Sequence, residues 1–302
     1  MIKASRIKLS KSAPEMSPIV WGSWRCLEQF GSATELSRFL GSLIELGVTS
    51  VDTADIYGGY QVQAFLGEAI KLLGDTAQQI EVITKCGVAL KSHRDNRHKH
   101  YDSSPSYVER AVDESLRLLQ LDRIDCFLLH RPDELMIADD TAHMIVTLIK
   151  SGKIRSFGVS NYRPDQVDLL ASKLSTDIAT NQVEFSALCP DAMDNGTLNQ
   201  AQRVGFRPMA WSPLANGRLF RSEEPQAIRV RNALSAIASA NGYANIADAA
   251  LAFVMAHPSC PVPVLGTGRV DRIKSAMKSL DNPMQHQDWY AVLEACRGQP
   301  VP

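Results

Sequence analysis

One alternation, repeated eight times, constrains this chain more than any other feature. Short runs rich in β-branched and aromatic residues fall at 19–22, 48–52, 80–84, 124–129, 154–159, 178–183, 206–211 and 262–265, and helical spacing fills most of the stretches between them. Between the second and third runs, Val62, Phe65, Leu66, Ala69, Ile70 and Leu73 follow i, i+3, i+4, i+7, i+8, i+11. Gly74 then stands where a left-handed residue ends a helix. Ser104-Pro105 opens the next helix as N-cap and N1, and Val108, Ala111, Val112, Leu116 and Leu119 form its apolar face. Ala142, Ile145, Val146 and Ile149, ending at Gly152, mark a later one, as do Val270, Ile273, Met277 and Leu280.

Strand–helix alternation over 302 residues admits an open doubly wound sheet or a closed barrel. No G-x-G-x-x-G follows an early run, so the open sheet's dinucleotide fingerprint is missing. The reading that fits is an α/β fold, a (β/α)₈ barrel of the TIM type, forming a single domain over 1–302. Arg6 to Met16 has no helical period and predicts a short hairpin closing the barrel floor. Pro208 lacks the N–H an interior strand donates, which predicts a short or displaced seventh strand.

Composition narrows the function classes. The 32 basic and 33 acidic residues give a formal charge of −1, so no global field draws nucleic acid or an acidic membrane surface. The first residues contain no apolar signal core, and no 18-residue apolar run exists. The six cysteines are scattered, with no C-x-x-C pair, which suits reduced thiols in a cytoplasm. A monomer is the favoured oligomeric reading.

In a barrel, reactive groups gather where strands end. The second run ends in VDTADIYG, placing Asp52 at the strand end and Tyr57 in the loop; the third ends at Lys85, and the fourth delivers His130. A carbonyl that receives a hydride builds negative charge on oxygen and needs a proton there. Tyr57 is the candidate acid, Lys85 the charge that draws its phenol toward acidity, Asp52 the group that keeps Lys85 protonated, and His130 a donor that sets the carbonyl's angle. Trp21, Trp24, Tyr57 and Trp211 predict an aromatic, mostly apolar pocket.

These four motifs in this order resemble the aldo-keto reductase family, whose catalytic tetrad is Asp, Tyr, Lys and His, and the resemblance covers essentially the whole chain. It implies an NADPH-dependent oxidoreductase that reduces a small-molecule aldehyde or ketone, using no metal, nucleic acid or membrane. It further implies that Ser160, Asn161 and Gln182 hold the nicotinamide carboxamide, that Trp211 stacks on the ring, and that Ser212, Leu214, Gly217 and Leu219 approach the diphosphate. Ser160-Asn161 could instead cap the helix opening at Arg163-Pro164. Gly22, the last residue of the first run, and Trp24, just after it, complete the expected cofactor contacts.

The last run enters LGTGRVDR, where Gly266, Thr267, Gly268, Arg269 and Arg272 suit a 2′-phosphate at a helix N-terminus and so favour NADPH over NADH. Many family members read the adenine with an acidic residue and an asparagine one turn later; Ser275 and Ala276 stand there instead. The segment 86–103, with His93, His98, His100, Lys91, Lys99, Arg94 and Arg97, reads as a mobile lid rather than a metal site. Two other functions are compatible with the barrel: a nucleotide-bound regulatory subunit with little turnover, and a metal-dependent hydrolase, which the lack of an H-x-H after the first strand disfavours.

Overall fold

The computed structural model describes residues 5–93 and 96–302. An antiparallel pair, β1 (Ile7–Lys8) and β2 (Glu15–Met16), comes first, followed by β3 (Val20–Gly22), β4 (Ser50–Asp52) and β5 (Glu81–Cys86). A second antiparallel ribbon, β6 (Val88–Ala89) with β7 (His100–Tyr101), interrupts the series. The remaining strands are β8 (Cys126–Leu129), β9 (Phe157–Ser160), β10 (Ile178–Glu184), β11 (Met209–Trp211) and β12 (Val262–Leu265). Eight of them close a parallel barrel in the order β3, β4, β5, β8, β9, β10, β11, β12. Each of the eight predicted runs supplies one barrel strand.

Alternation along the strands sorts the side chains. On β8, Cys126 and Leu128 face the barrel interior with Val20, Ile83, Met209 and Val264, whereas Phe127 and Leu129 join Val108, Val112 and Ile145 outside. The helices cover that outer surface. Gly67 permits one close approach, since a Cβ there would lie 2.1 Å from the Leu118 carbonyl of the next helix. Leu9 and Met16 of the N-terminal hairpin plug the interior from below, and Arg207 N–H donates to the Leu9 carbonyl at 2.6 Å. The predicted floor is therefore present.

Local signals held with small changes. The predicted helix at 62–73 spans Val62–Lys71, and Gly74, at φ +58°, opens a short 3₁₀ turn. Ser104 precedes helix Pro105–Leu119, but its hydroxyl makes no capping bond; the Asp102 carboxylate accepts from the Ser104 N–H instead. β11 starts just after Pro208, whose carbonyl accepts from Val262 N–H, so the ring costs the sheet no donor. Beyond the expected closing helix, Val270–Ser279, a further helix at His286–Arg297 stacks Trp289 on Phe253. No helix among the described residues is long and apolar enough to cross a membrane.

Candidate active site

The strand period decides where Lys85 points. Ile83 faces the barrel interior, so Lys85, two residues on, does as well. Its ammonium is fully buried and donates to Asp52 Oδ2 at 2.7 Å, the Thr53 carbonyl at 2.8 Å and the Tyr57 hydroxyl at 3.2 Å. All three protons are used. Asp52 Oδ1 accepts from Gln182 Nε2 at 2.8 Å, so both carboxylate oxygens are occupied too. A register shift in the β9–β10 pairing lies between Ile178 and Asn181, just before Gln182.

Electrostatics follow from this burial. Burial pulls the Lys85 ammonium down, but Asp52 and then Tyr57 push it up more strongly, so it is held above the ordinary lysine value and stays charged. For Tyr57 the balance differs: burial raises the phenol, Lys85 lowers it, Asp52 and Asp55 raise it again, and it ends above the usual tyrosine value. The expected pull of the ammonium is there, but burial outweighs it. Burial also pushes the neighbouring Asp55 up to about 7, against its own hydrogen bond from Ile56 N–H. His130 lies edge-on to Tyr57, with ring centroids 5.9 Å apart. Burial, then Lys85, Arg131 and Lys99, hold it well below the usual histidine value, so it is neutral.

Asp52, Tyr57 and His130 line a cavity of about 1220 Å³ at the C-terminal ends of the barrel strands; Lys85 lies behind its wall. A polar chain crosses three strand ends along one side. Ser160 Oγ donates to the Gln182 carbonyl at 2.9 Å, Asn161 Nδ2 to Ser160 Oγ at 2.8 Å, and Trp211 Nε1 to Asn161 Oδ1 at 3.0 Å. Asn161 adopts φ +60° and does not cap the following helix, which opens at Arg163, whose N–H donates to Gln166 Oε1 at 3.0 Å. Trp211 is half-buried on the cavity wall rather than in the core. Past β11, Ser212, Ala215 and Asn216 have φ between +49° and +54° and Gly217 has φ +80°. Three non-glycine residues held there mark a strained loop over the cavity.

The model of the Aldo/keto reductase family matches residues 18–296. The chain belongs to this family. Oxidoreductase YdhF of Escherichia coli is 39% identical over 98% of this chain and 99% of its own. A 6-dehydroglucose reductase of Agrobacterium fabrum is 37% identical over 98% and 99%. Among solved structures, the glycerol dehydrogenase AKR11B4 of Gluconobacter oxydans superimposes with a TM-score of 0.85 at 20% identity, covering 100% of this chain and 98% of its own. The protein is accordingly an oxidoreductase of small-molecule carbonyls that works with a nicotinamide cofactor.

Most residues expected to contact a cofactor line the aldo-keto reductase's cavity: Gly22, Trp24, Ser160, Asn161, Gln182, Trp211, Ser212, Leu214, Gly217, Gly266, Thr267 and Arg272. Leu219, Gly268 and Arg269 do not. Leu219 is buried in the core behind the loop, and the Arg269 guanidinium clasps Asp271 with both ends, at 3.1 and 2.6 Å. The 266–268 turn is anchored from the first strand's side: Trp21 Nε1 donates to the Thr267 carbonyl at 3.0 Å and Gln29 Nε2 to the Gly266 carbonyl at 2.9 Å. Trp21 is thus a buried support on the barrel's outer face, which corrects its expected place in the pocket wall.

Several cavity residues were not read from sequence. Asn245 caps helix Ile246–Met255, accepting from the N–H groups of Ala247 and Asp248, and its amide reaches Asp248 Oδ2 at 3.1 Å. Ser275 Oγ donates to the same oxygen at 2.6 Å. The N-cap signal lies in the sequence, and so does the place of Ser275 one turn into the last helix; that the two meet at one carboxylate, 30 residues apart, does not. Arg25 reaches across to Asn216 Oδ1 at 2.7 Å, and Arg131 and Glu184 also face the cavity.

The histidine-bearing segment is tied to the body of the protein at its base. Its base is the β6–β7 ribbon, Leu90 N–H donates to the Tyr60 hydroxyl at 3.1 Å, and the His93 ring stacks on Tyr60 at 3.7 Å. None of its described residues lines the cavity, and Arg94 lies outside the described residues. Among the described residues no three His, Cys, Asp or Glu side chains converge as metal ligands.

Proposed function

We propose that this enzyme reduces an aldehyde or ketone to an alcohol with NADPH, Tyr57 giving the proton to the carbonyl oxygen. The observation that carries the reading is the Lys85 ammonium held between Asp52 and the Tyr57 hydroxyl, at 2.7 and 3.2 Å. The cofactor supplies a hydride to the carbonyl carbon when bound. As the C–H bond forms, the oxygen gains charge and takes the phenolic proton, and the adjacent ammonium stabilises the phenolate left behind. The neutral imidazole of His130 has one N–H to offer the same oxygen, which fixes the direction of approach. Asp52 and Gln182 keep the ammonium aimed.

The cavity's donor set fits a nicotinamide dinucleotide. Asn161, Ser160 and Gln182 offer donors and acceptors matched to a carboxamide, with Trp211 as a flat neighbour. The strained loop from Ser212 through Leu214 to Gly217, which lines the same cavity, supports a diphosphate-binding role for its backbone. Arg272, which lines the cavity and makes no side-chain hydrogen bond among the described residues, is the natural partner of a 2′-phosphate, with Thr267 beside it. Arg269 joins only by releasing Asp271. The Asp248 carboxylate, set by Asn245 and Ser275, is suited to accept from an adenine amino group. The name 6-dehydroglucose reductase borne by relatives supports a sugar-derived carbonyl as the first substrate to try. Six unpaired cysteines support a reducing compartment, the cytoplasm.

The test is NADPH oxidation, followed by its absorbance, against a panel of aldehydes and ketones. Consumption matched by alcohol formation supports the reading. Tight NADPH binding with no turnover of any carbonyl would replace it with a nucleotide-bound regulatory role.

A further inference from the structure

The open end of the cavity carries charge that the reduction chemistry does not use. Gln182 points to the barrel axis, where it holds Asp52, so Glu184, two residues further along β10, faces the same way about 7 Å nearer the opening. Glu184 lines the cavity, is half-buried, and enters no ion pair among the described residues. Burial raises its carboxyl above the ordinary range and Asp191 adds to the rise, while Arg218, a hydrogen bond with the Cys189 side chain and, more weakly, Arg131 pull it back. Arg218 is already committed to Glu224 at 2.8 Å. Arg131, directly after His130, lines the same cavity and has no side-chain partner among the described residues. The exposed side chains of Trp24 and Phe220 line the same cavity.

A carboxylate that keeps lone pairs beyond its bond from Cys189 and a guanidinium with free N–H groups, in a cavity that also exposes flat apolar faces, need a partner of matching chemistry. A substrate carboxylate would meet Arg131 but also the charge of Glu184. An alkyl or aryl chain would strip water from both and return no hydrogen bond. A chain of hydroxylated carbons does neither: its O–H groups donate to the carboxylate, its oxygens accept from the guanidinium, and its C–H edges lie on the rings. We propose that Glu184 and Arg131 form a hydroxyl-reading subsite that selects polyhydroxylated aldehydes or ketones, with Glu184 the specificity-determining residue. This rests on the carbonyl-reduction reading above.

The test compares D-erythrose with butanal, equal in carbon number, using the full chain and NADPH. The expected result is a kcat/KM at least about tenfold higher for erythrose, with that ratio falling about 10- to 100-fold in Glu184→Leu, chiefly through KM, and less in Glu184→Gln, which keeps an acceptor. Arg131→Met should lower the ratio as well. Equal losses on both aldehydes, or a wild-type preference for butanal, would overturn the subsite. Saturation-transfer NMR of the protein with erythritol and with 1-butanol needs no turnover. Erythritol contact that depends on Glu184 in a protein that reduces neither aldehyde would keep the subsite and remove carbonyl reduction; erythritol contact unchanged in Glu184→Leu would remove the subsite.

Discussion

Gln182 Nε2 donates to Asp52 Oδ1 at 2.8 Å, so the residue expected to hold the nicotinamide amide also braces the carboxylate that orients Lys85. Gln182→Met should therefore do two things: weaken NADPH binding and lower kcat about tenfold at saturating NADPH. A residue that only touched the cofactor would leave that kcat intact. Steady-state kinetics at saturating NADPH separate the two.

Tyr57→Phe should lose at least about 10²-fold in kcat with NADPH affinity nearly unchanged, because it removes the proton and little else. A variant that keeps most of its kcat would take Tyr57 out of that role.

Lys85→Met should also abolish turnover, and it leaves Asp52 buried without its cation. Breaking a buried pair in this way typically costs about 3–5 kcal/mol, so the variant should unfold at clearly lower urea concentration than Tyr57→Phe. Equal midpoints for the two variants would show that the pair contributes nothing to stability.

Neither Tyr57 nor His130 should contribute a limb to the pH profile in the neutral range. The Tyr57 phenol sits above the usual tyrosine value, so the proton-donating form persists to high pH and the reduction rate falls only above about pH 10. His130, held well below its ordinary value, contributes no limb near 6.5. An acidic limb at 6.5 that vanishes in a His130→Gln variant would contradict the neutral imidazole.

Asp55 supplies a stability signature distinct from catalysis. Its folded value, raised to about 7, lies above that of an unfolded aspartate, so its ionisation opposes folding and stability is lost as pH climbs from about 4 to about 7. Asp55→Asn, which keeps the acceptor for Ile56 N–H, should stabilise the protein more at pH 8 than at pH 4. Equal effects at both pH values would refute the shift.

At the nucleotide end, Arg272→Ala should weaken NADPH about ten- to a hundredfold and leave NADH nearly unchanged, since only NADPH carries the 2′-phosphate. Arg269→Ala should do less, because its guanidinium is already paired with Asp271. Asp248→Asn should weaken both nucleotides alike. Fluorescence titrations in which Arg272→Ala costs NADH as much as NADPH would sink the phosphate assignment.

What the sequence determined by itself was local. Alternation at period 2 and 3.6, glycine at helix ends and proline at N1 arise from short-range sterics, so the eight strands and the helices at 62–71, 105–119 and 270–279 were legible. The strand-end positions of Asp52 and His130 followed from the same pattern, as did Lys85. The tertiary structure decided everything that joins residues through closure of the barrel. Gln182 meets Asp52 across 130 residues of chain, and Ser275 meets Asp248 across 27. That Arg269 pairs with Asp271 while Arg272 lines the cavity was left open by the sequence. The charge on Tyr57 likewise depended on burial, a property of the packed barrel rather than of neighbouring residues, which is why the ammonium's pull could be foreseen and its being outweighed could not.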